Sequence, residues 1–140
     1  MEIQFFFADA GITLRERKRL KFFISTIFIN EGKKLSSINY IFCSDDYLLN
    51  INRQFLQHDY YTDIVTFNLS ASKAPIEGEV YISIDRVREN ARLLNQKLTQ
   101  ELHRVIFHGA LHLCGYKDKQ KNEIVQMRKA EETYLRRYLI

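Results

Sequence analysis

The sequence predicts a single domain of the α+β or α/β class, with strands and helices sharing one hydrophobic core. Three observations carry that expectation. Short β-forming runs alternate with helix-periodic runs along the chain, with no repeat, low-complexity tract or linker between them. The 140 residues amount to about one domain on the usual size scale. One proline and five glycines are too few breakers for a disordered or fibrous chain, and ten Phe and eight Tyr supply a core.

Residues 3–7 read as a first strand. Thr13-Leu14-Arg15-Glu16 has capping-box order, and Leu20, Phe23, Ile24, Ile27 and Phe28 follow at helical spacing, predicting a helix over about 14–31. Arg15, Arg17, Lys18, Arg19 and Lys21 crowd its first turns, as a solvated helix end or as phosphate contacts. Residues 38–43 form a β-rich run, and Ser44-Asp45-Asp46 can cap a helix carrying Leu48, Leu49, Ile51 and Phe55. Residues 63–67 and 79–84 look like two further strands that pair as neighbours, separated by a polar stretch containing Pro75. Asp85 can cap a helix through Val87, Ala91 and Leu94, and Thr99 another through Leu102, Val105 and Ile106 toward Leu113. A last helix over about 121–138 shows Ile124, Met127, Ala130, Tyr134 and Tyr138 at three-to-four spacing.

Composition excludes some functions and names none. The longest nearly apolar run, residues 22–29, is far below the ~20 residues a spanning helix needs, so no membrane crossing is expected. The start Met1-Glu2-Ile3-Gln4 has neither a basic region nor a small-residue cleavage site, which predicts a cytoplasmic protein. Cys43 and Cys114 lie in separate apolar neighbourhoods and read as buried thiols, without a disulfide. A net charge of +4 favours polyanionic partners weakly.

The chemistry concentrates in Phe107-His108-Gly109-Ala110-Leu111-His112-Leu113-Cys114-Gly115-Tyr116-Lys117-Asp118. Two histidines four apart on a helix sit about 40° apart around its axis and one turn apart along it, so both imidazoles can reach one ion. Gly115 suits the left-handed residue that ends a helix, and the reversing chain can bring Asp118 round as a third ligand. Two imidazoles and a carboxylate leave a fourth tetrahedral position open, which is the pattern of catalytic zinc, although nickel or copper would accept the same donors. The spacing matches metzincin proteases, but Gly109 stands where their general-base glutamate would be, so peptide hydrolysis is disfavoured. Cys114 should point away from the metal into the core.

The segment from His108 to Tyr116 resembles the His-Gly-x-Leu-His-Leu-x-Gly-Tyr signature of the YbeY-type endoribonucleases. Thr62-Asp63-Ile64-Val65-Thr66-Phe67 is similar to that family's Thr-Asp-Val-Leu-Ser-Phe strand, and Gly78-Glu79-Val80-Tyr81-Ile82-Ser83 to its Gly-Asp-Ile-x-Ile-Ser strand. The resemblance thus runs from about residue 38 onward. It implies an α+β fold with a small mixed four-stranded sheet packed by about five helices. It also implies one zinc ion in a cleft and single-stranded RNA as substrate. The family's role lies in bacterial ribosomal RNA maturation, at the 3′ end of the small-subunit RNA, and in ribosome quality control.

Three departures from the family pattern bear on the site. Gly115-Tyr116-Lys117-Asp118 replaces the usual Gly-Tyr-Asp-His, so the third ligand is a carboxylate, which makes the metal a weaker electrophile, while Lys117 returns a positive charge. Leu56 stands where the family has a phosphate-facing arginine, and Arg53 or His58 are the available substitutes. Tyr61 and Asn68 replace prolines beside the Thr-Asp strand. His108, His112, Arg53 and His58 are therefore the candidate catalytic set, with His108, His112 and Asp118 as metal ligands. Arg86, Arg88 and Arg92, and above all Lys117, Lys119 and Lys121, are candidates for gripping phosphate. The attacking group, water or a ribose 2′-hydroxyl, stays open, as does the general base. Two other readings compete: a ribosome-associated RNA-binding factor with a structural metal, and a hydrolase of peptides or small molecules.

Overall fold

The computed structural model describes residues 2–140, so Met1 lies outside it. Four strands, β1 (Glu2–Phe7), β2 (Leu35–Cys43), β3 (Ile64–Asn68) and β4 (Ile76–Ser83), form one sheet in the order β1-β2-β4-β3. β1, β2 and β4 run parallel, and β3 pairs antiparallel with β4 from Ile64 opposite Ile82 to Asn68 opposite Gly78. Five α-helices complete the fold: α1 (Arg17–Asn30), α2 (Asp45–Ile51), α3 (Ile84–Leu93), α4 (Leu98–Leu113) and α5 (Lys121–Leu139). This is the α+β arrangement expected. No helix among the described residues is long and apolar enough to cross a membrane.

The period-2 pattern of the strands decides which face carries the core. Ile38, Tyr40 and Phe42 of β2 and Val80 and Ile82 of β4 are fully buried, together with Leu20, Ile24, Ile27 and Phe28 of α1. Helix α4 lies in the middle of this core, with Leu102, Val105, Ile106, Phe107, Ala110 and Leu111 buried. Two glycines set how closely it approaches the sheet. A Cβ at Gly109 would sit 2.8 Å from Val80 Cγ1 and 3.2 Å from Ile64 Cδ1, and one at Gly78 would meet Leu113 Cδ1 at 2.6 Å. Gly109 therefore faces strands, and a glutamate side chain there has no room. On the opposite face of the sheet α2 covers a smaller cluster of Cys43, Leu48 and Val65.

Several boundaries differ from the sequence expectation. The Thr13 capping box does not form: Leu14 is buried in the core, and α1 starts at Arg17 behind Glu16 in a left-handed conformation with φ 52°. Ser83 caps α3, its hydroxyl accepting from the Arg86 N–H at 3.1 Å, while Asp85 in the first turn accepts from the Asp45 N–H at 2.8 Å. Thr99 lies inside α4, because Leu98 joins the core and moves the helix start back to follow Lys97. β2 and β4 each begin three residues earlier than the β-rich runs suggest, since Leu35 and Ile76 pair across the sheet. Ser44 caps α2 as expected, and Phe55 falls in a wider π-type turn (Asn52–Leu56) that continues it. Cys43 and Cys114 are buried and free.

Candidate metal centre and cleft

His108 and His112 project from the last turns of α4, their rings parallel within 4° and their centroids 6.4 Å apart. The helix stops at Leu113, Gly115 takes a positive φ of 111°, and the Tyr116 N–H donates back to Leu111 O at 3.1 Å. The chain is held in that reversal by Glu31, which accepts from the hydroxyls of Tyr116 at 3.0 Å and Tyr134 at 2.6 Å. The reversal brings Asp118 Oδ2 to 3.2 Å from His108 Nε2.

Behind His108 stands a buried charged network that local sequence reading missed. His108 Nδ1 lies 2.5 Å from Glu131 Oε2, and Glu131 is 1 % exposed. Arg104 donates to Glu131 at 2.8 Å and grips Glu101 with two bonds of 2.9 and 2.7 Å. Burial pushes the Glu131 carboxyl up, but its bond to His108 and the Arg104 charge outweigh this and hold it below the usual glutamate range. The Arg104 guanidinium stays charged, because its carboxylate partners outweigh the burial that opposes it.

This network determines what faces the cleft. An ionised Glu131 only accepts, so His108 donates through Nδ1. The other ring nitrogen, Nε2, then faces a second acceptor, the Asp118 carboxylate, at 3.2 Å. A positive centre belongs between them, either a proton on Nε2 or a cation that both atoms share. Two donors each about 2.1 Å from a tetrahedral ion stand about 3.4 Å apart, so the spacing suits a shared cation. A carboxylate behind a ligating imidazole is also the usual support of a metal histidine. Among the described residues no three His, Cys, Asp or Glu side chains already converge on one point. His108 and Asp118 are in place, and His112, exposed on the next turn, would complete the set by side-chain rotation. The donor chemistry thus fits a divalent ion.

The three residues open onto a cleft of about 580 Å³ between α4, α5 and the edge strand β3. Its charged lining consists of Asp63, Asp118 and Glu131 against Arg104, Lys119 and Arg128, which balance. A divalent cation would turn this neutral cleft into an anion-binding one. Asp63 heads β3 with its Oδ2 3.8 Å from Arg104 and 3.5 Å from Asn90 Nδ2. Burial raises its carboxyl above the usual aspartate range, against the opposing pull of Arg104 and His108. The sequence showed Asp63 as the start of a strand and part of a family-like motif. Its place beside Arg104 comes from tertiary packing.

The structure brings His58, His108, His112 and Asp118 to this one cleft and leaves Arg53 out of its wall. Arg53 is held by Asp59 at 2.6 Å, so it does not occupy the place of the missing arginine, and Leu56 itself lines the cleft. Of the three lysines after the motif only Lys119 lines it. Arg86 is tied to Asp45 at 2.7 Å and Arg92 to Glu89 at 2.6 Å, away from the cleft. Arg88 reaches Gly11 O at 3.3 Å. Several cations of the first helix also have structural partners: Arg19 bonds Tyr138 O and pairs with Glu16, while Arg17 and Lys21 lie over Phe7 and Phe5.

Fold and cleft together define a class: a small α+β protein with a helix-borne histidine pair and a carboxylate at the mouth of a polar, charge-balanced cleft. The chain matches the family described as Endoribonuclease YbeY over residues 11–139 and belongs to that family. The match starts well before residue 38, where the motifs alone had placed it. An Endoribonuclease YbeY of Cytophaga hutchinsonii is 50% identical over 133 residues, covering 95% of this chain and 93% of that protein. One of Porphyromonas gingivalis is 47% identical, covering 93% and 86%. The solution structure of TM1509 from Thermotoga maritima aligns with a TM-score of 0.67 at 29% identity, covering 97% of this chain and 88% of that one.

Proposed function

We propose that this chain is a metal-dependent endoribonuclease that cuts unpaired RNA, ribosomal RNA foremost, in the cytoplasm, with one zinc ion held by His108, His112 and Asp118. The relatives' name, Endoribonuclease YbeY, supports the reaction class. The observation that carries the metal is the approach of two potential ligand atoms, His108 Nε2 and Asp118 Oδ2, to 3.2 Å while Glu131 holds Nδ1. When bound, such an ion supplies Lewis acidity and relief of the charge that grows on the nonbridging oxygens of a phosphodiester.

The chain's own residues supply the remaining roles. Glu131 holds the Nδ1 edge of His108 and so turns Nε2 toward the cleft and Asp118. Arg104 is spent on Glu131 and Glu101, which leaves Lys119, and the exposed Arg128 that shares one 3.3 Å bond with Glu131, to meet phosphates. Asp63, a lining carboxyl whose burial outweighs the pull of Arg104 and His108 and leaves it easier to protonate, takes the acid-base role for which the motifs name no residue. Gly109, pressed against Val80 and Ile64, offers no base of the metalloprotease kind, which removes the structural support for peptide hydrolysis.

The test is cleavage of a defined single strand and of its duplex by rigorously purified protein. Internal cuts in the single strand, abolished by a chelator, restored by zinc and absent in His112→Ala, are expected. Zinc-loaded wild type that binds RNA but leaves it whole would instead identify a binding factor. The new ends separate the attacking groups: a 2′,3′-cyclic phosphate marks attack by the ribose hydroxyl, a 5′-phosphate attack by water.

A further inference from the structure

The cleft wall opposite the histidines has a different chemistry. After the wide turn, Gln57 reverses the chain in a left-handed conformation with φ 56°, and the following loop is fixed at several points. The His58 N–H donates to Asn52 O at 3.1 Å, the buried Asn52 side chain donates to Tyr60 O at 3.1 Å, and Arg53 clamps Asp59 at 2.6 Å. This loop nevertheless leaves its rings in solvent. Tyr60 is 56 % exposed and stacked on His58, with centroids 5.1 Å apart, planes 21° apart, and its hydroxyl 2.9 Å from His58 Nδ1. Both rings line the cleft, and so do the cations Lys119 and Arg128. An aromatic face and a pair of cations in one cleft match the two halves of a nucleotide, base and phosphate.

Resting on the endoribonuclease reading above, we infer that the His58–Tyr60 pair is a stacking subsite for one unpaired nucleobase of the RNA. The subsite gives this chain a preference for single strands that the metal centre alone does not provide, because a base inside a duplex has both faces already stacked. It also gives Arg53 a place in the design. By holding Asp59, Arg53 fixes the loop that carries the rings and has no need to touch phosphate.

Steady-state cleavage of a short unpaired RNA by the zinc-loaded protein tests this. Tyr60→Ala is expected to raise KM roughly tenfold with little change in kcat, and Tyr60→Phe, which keeps the ring, to stay near the wild type. An abasic nucleotide scanned along the strand should reproduce the loss at one position, and there Tyr60→Ala should add nothing further. A wild-type KM in Tyr60→Ala, or an equal further loss on every abasic strand, overturns the subsite while the endoribonuclease reading stands. Wild type that cuts no RNA overturns both.

Discussion

Glu131 is charged although only 1 % exposed, and three partners make that state stable: His108 at 2.5 Å, Arg104 at 2.8 Å and Arg128 at 3.3 Å. Removing its charge leaves Arg104 undercompensated and frees the His108 ring to take the other tautomer. Glu131→Gln is therefore expected to lower unfolding stability by about 3–5 kcal/mol and metal affinity by roughly ten- to a hundredfold. Denaturant titration of metal-free protein and zinc competition would measure the two, and a variant unchanged in both would show that the network does not support the site. At this scale the sequence was legible where partners are local. His108 and Asp118 lie around one helix end, so spacing alone anticipated their contact, and His112 stands exposed one turn on. Glu131 stands 23 residues from His108, and nothing short of the packing of α5 on α4 reveals that contact. Leu56 in the cleft and Arg53 outside it follow from the wide turn, which shifts the phase of the side chains relative to a regular helix.

Local signals located the elements well and their ends less well. Capping preference at Thr13 gave way to burial of Leu14, and the helix start at Leu98 followed an apolar residue joining the core. The cap that held, Ser44, is braced from outside its own helix: Asp9, just beyond β1, accepts from the Ser44 hydroxyl at 2.5 Å and from its N–H at 2.8 Å. Those bonds lower the Asp9 pKa from its ordinary 3.8. An acid with a lowered folded pKa stabilises the fold above its unfolded value, and that contribution disappears as pH falls through the folded one. The wild type should therefore be more stable than Asp9→Asn at neutral pH, and the gap should close below pH 3.8. Thermal melts of both proteins across the acid range check this, and a gap independent of pH would contradict it. The close seating of α4 on β4 was the feature least visible in sequence. Gly109 read only as the loss of a catalytic group, whereas its packing against Val80 and Ile64 requires the missing side chain.

The whole molecule joins a mixed sheet, whose edge strand β3 bounds the cleft, to a helix whose end carries the histidines, so its chemistry sits where strand, helix end and loop meet. The layered α+β class and the β3–β4 pairing were legible because strands announce themselves by period, while the sheet order β1-β2-β4-β3 depends on crossovers that no local pattern encodes. The cleft's charges cancel without an ion, so its affinity for phosphate rests on whether one is held. Equilibrium dialysis of chelator-stripped protein against zinc measures that directly. The wild type should take up one ion per chain, and His112→Ala and Asp118→Ala should bind at least about tenfold more weakly. Zinc held by both variants as tightly as by the wild type would contradict the site described.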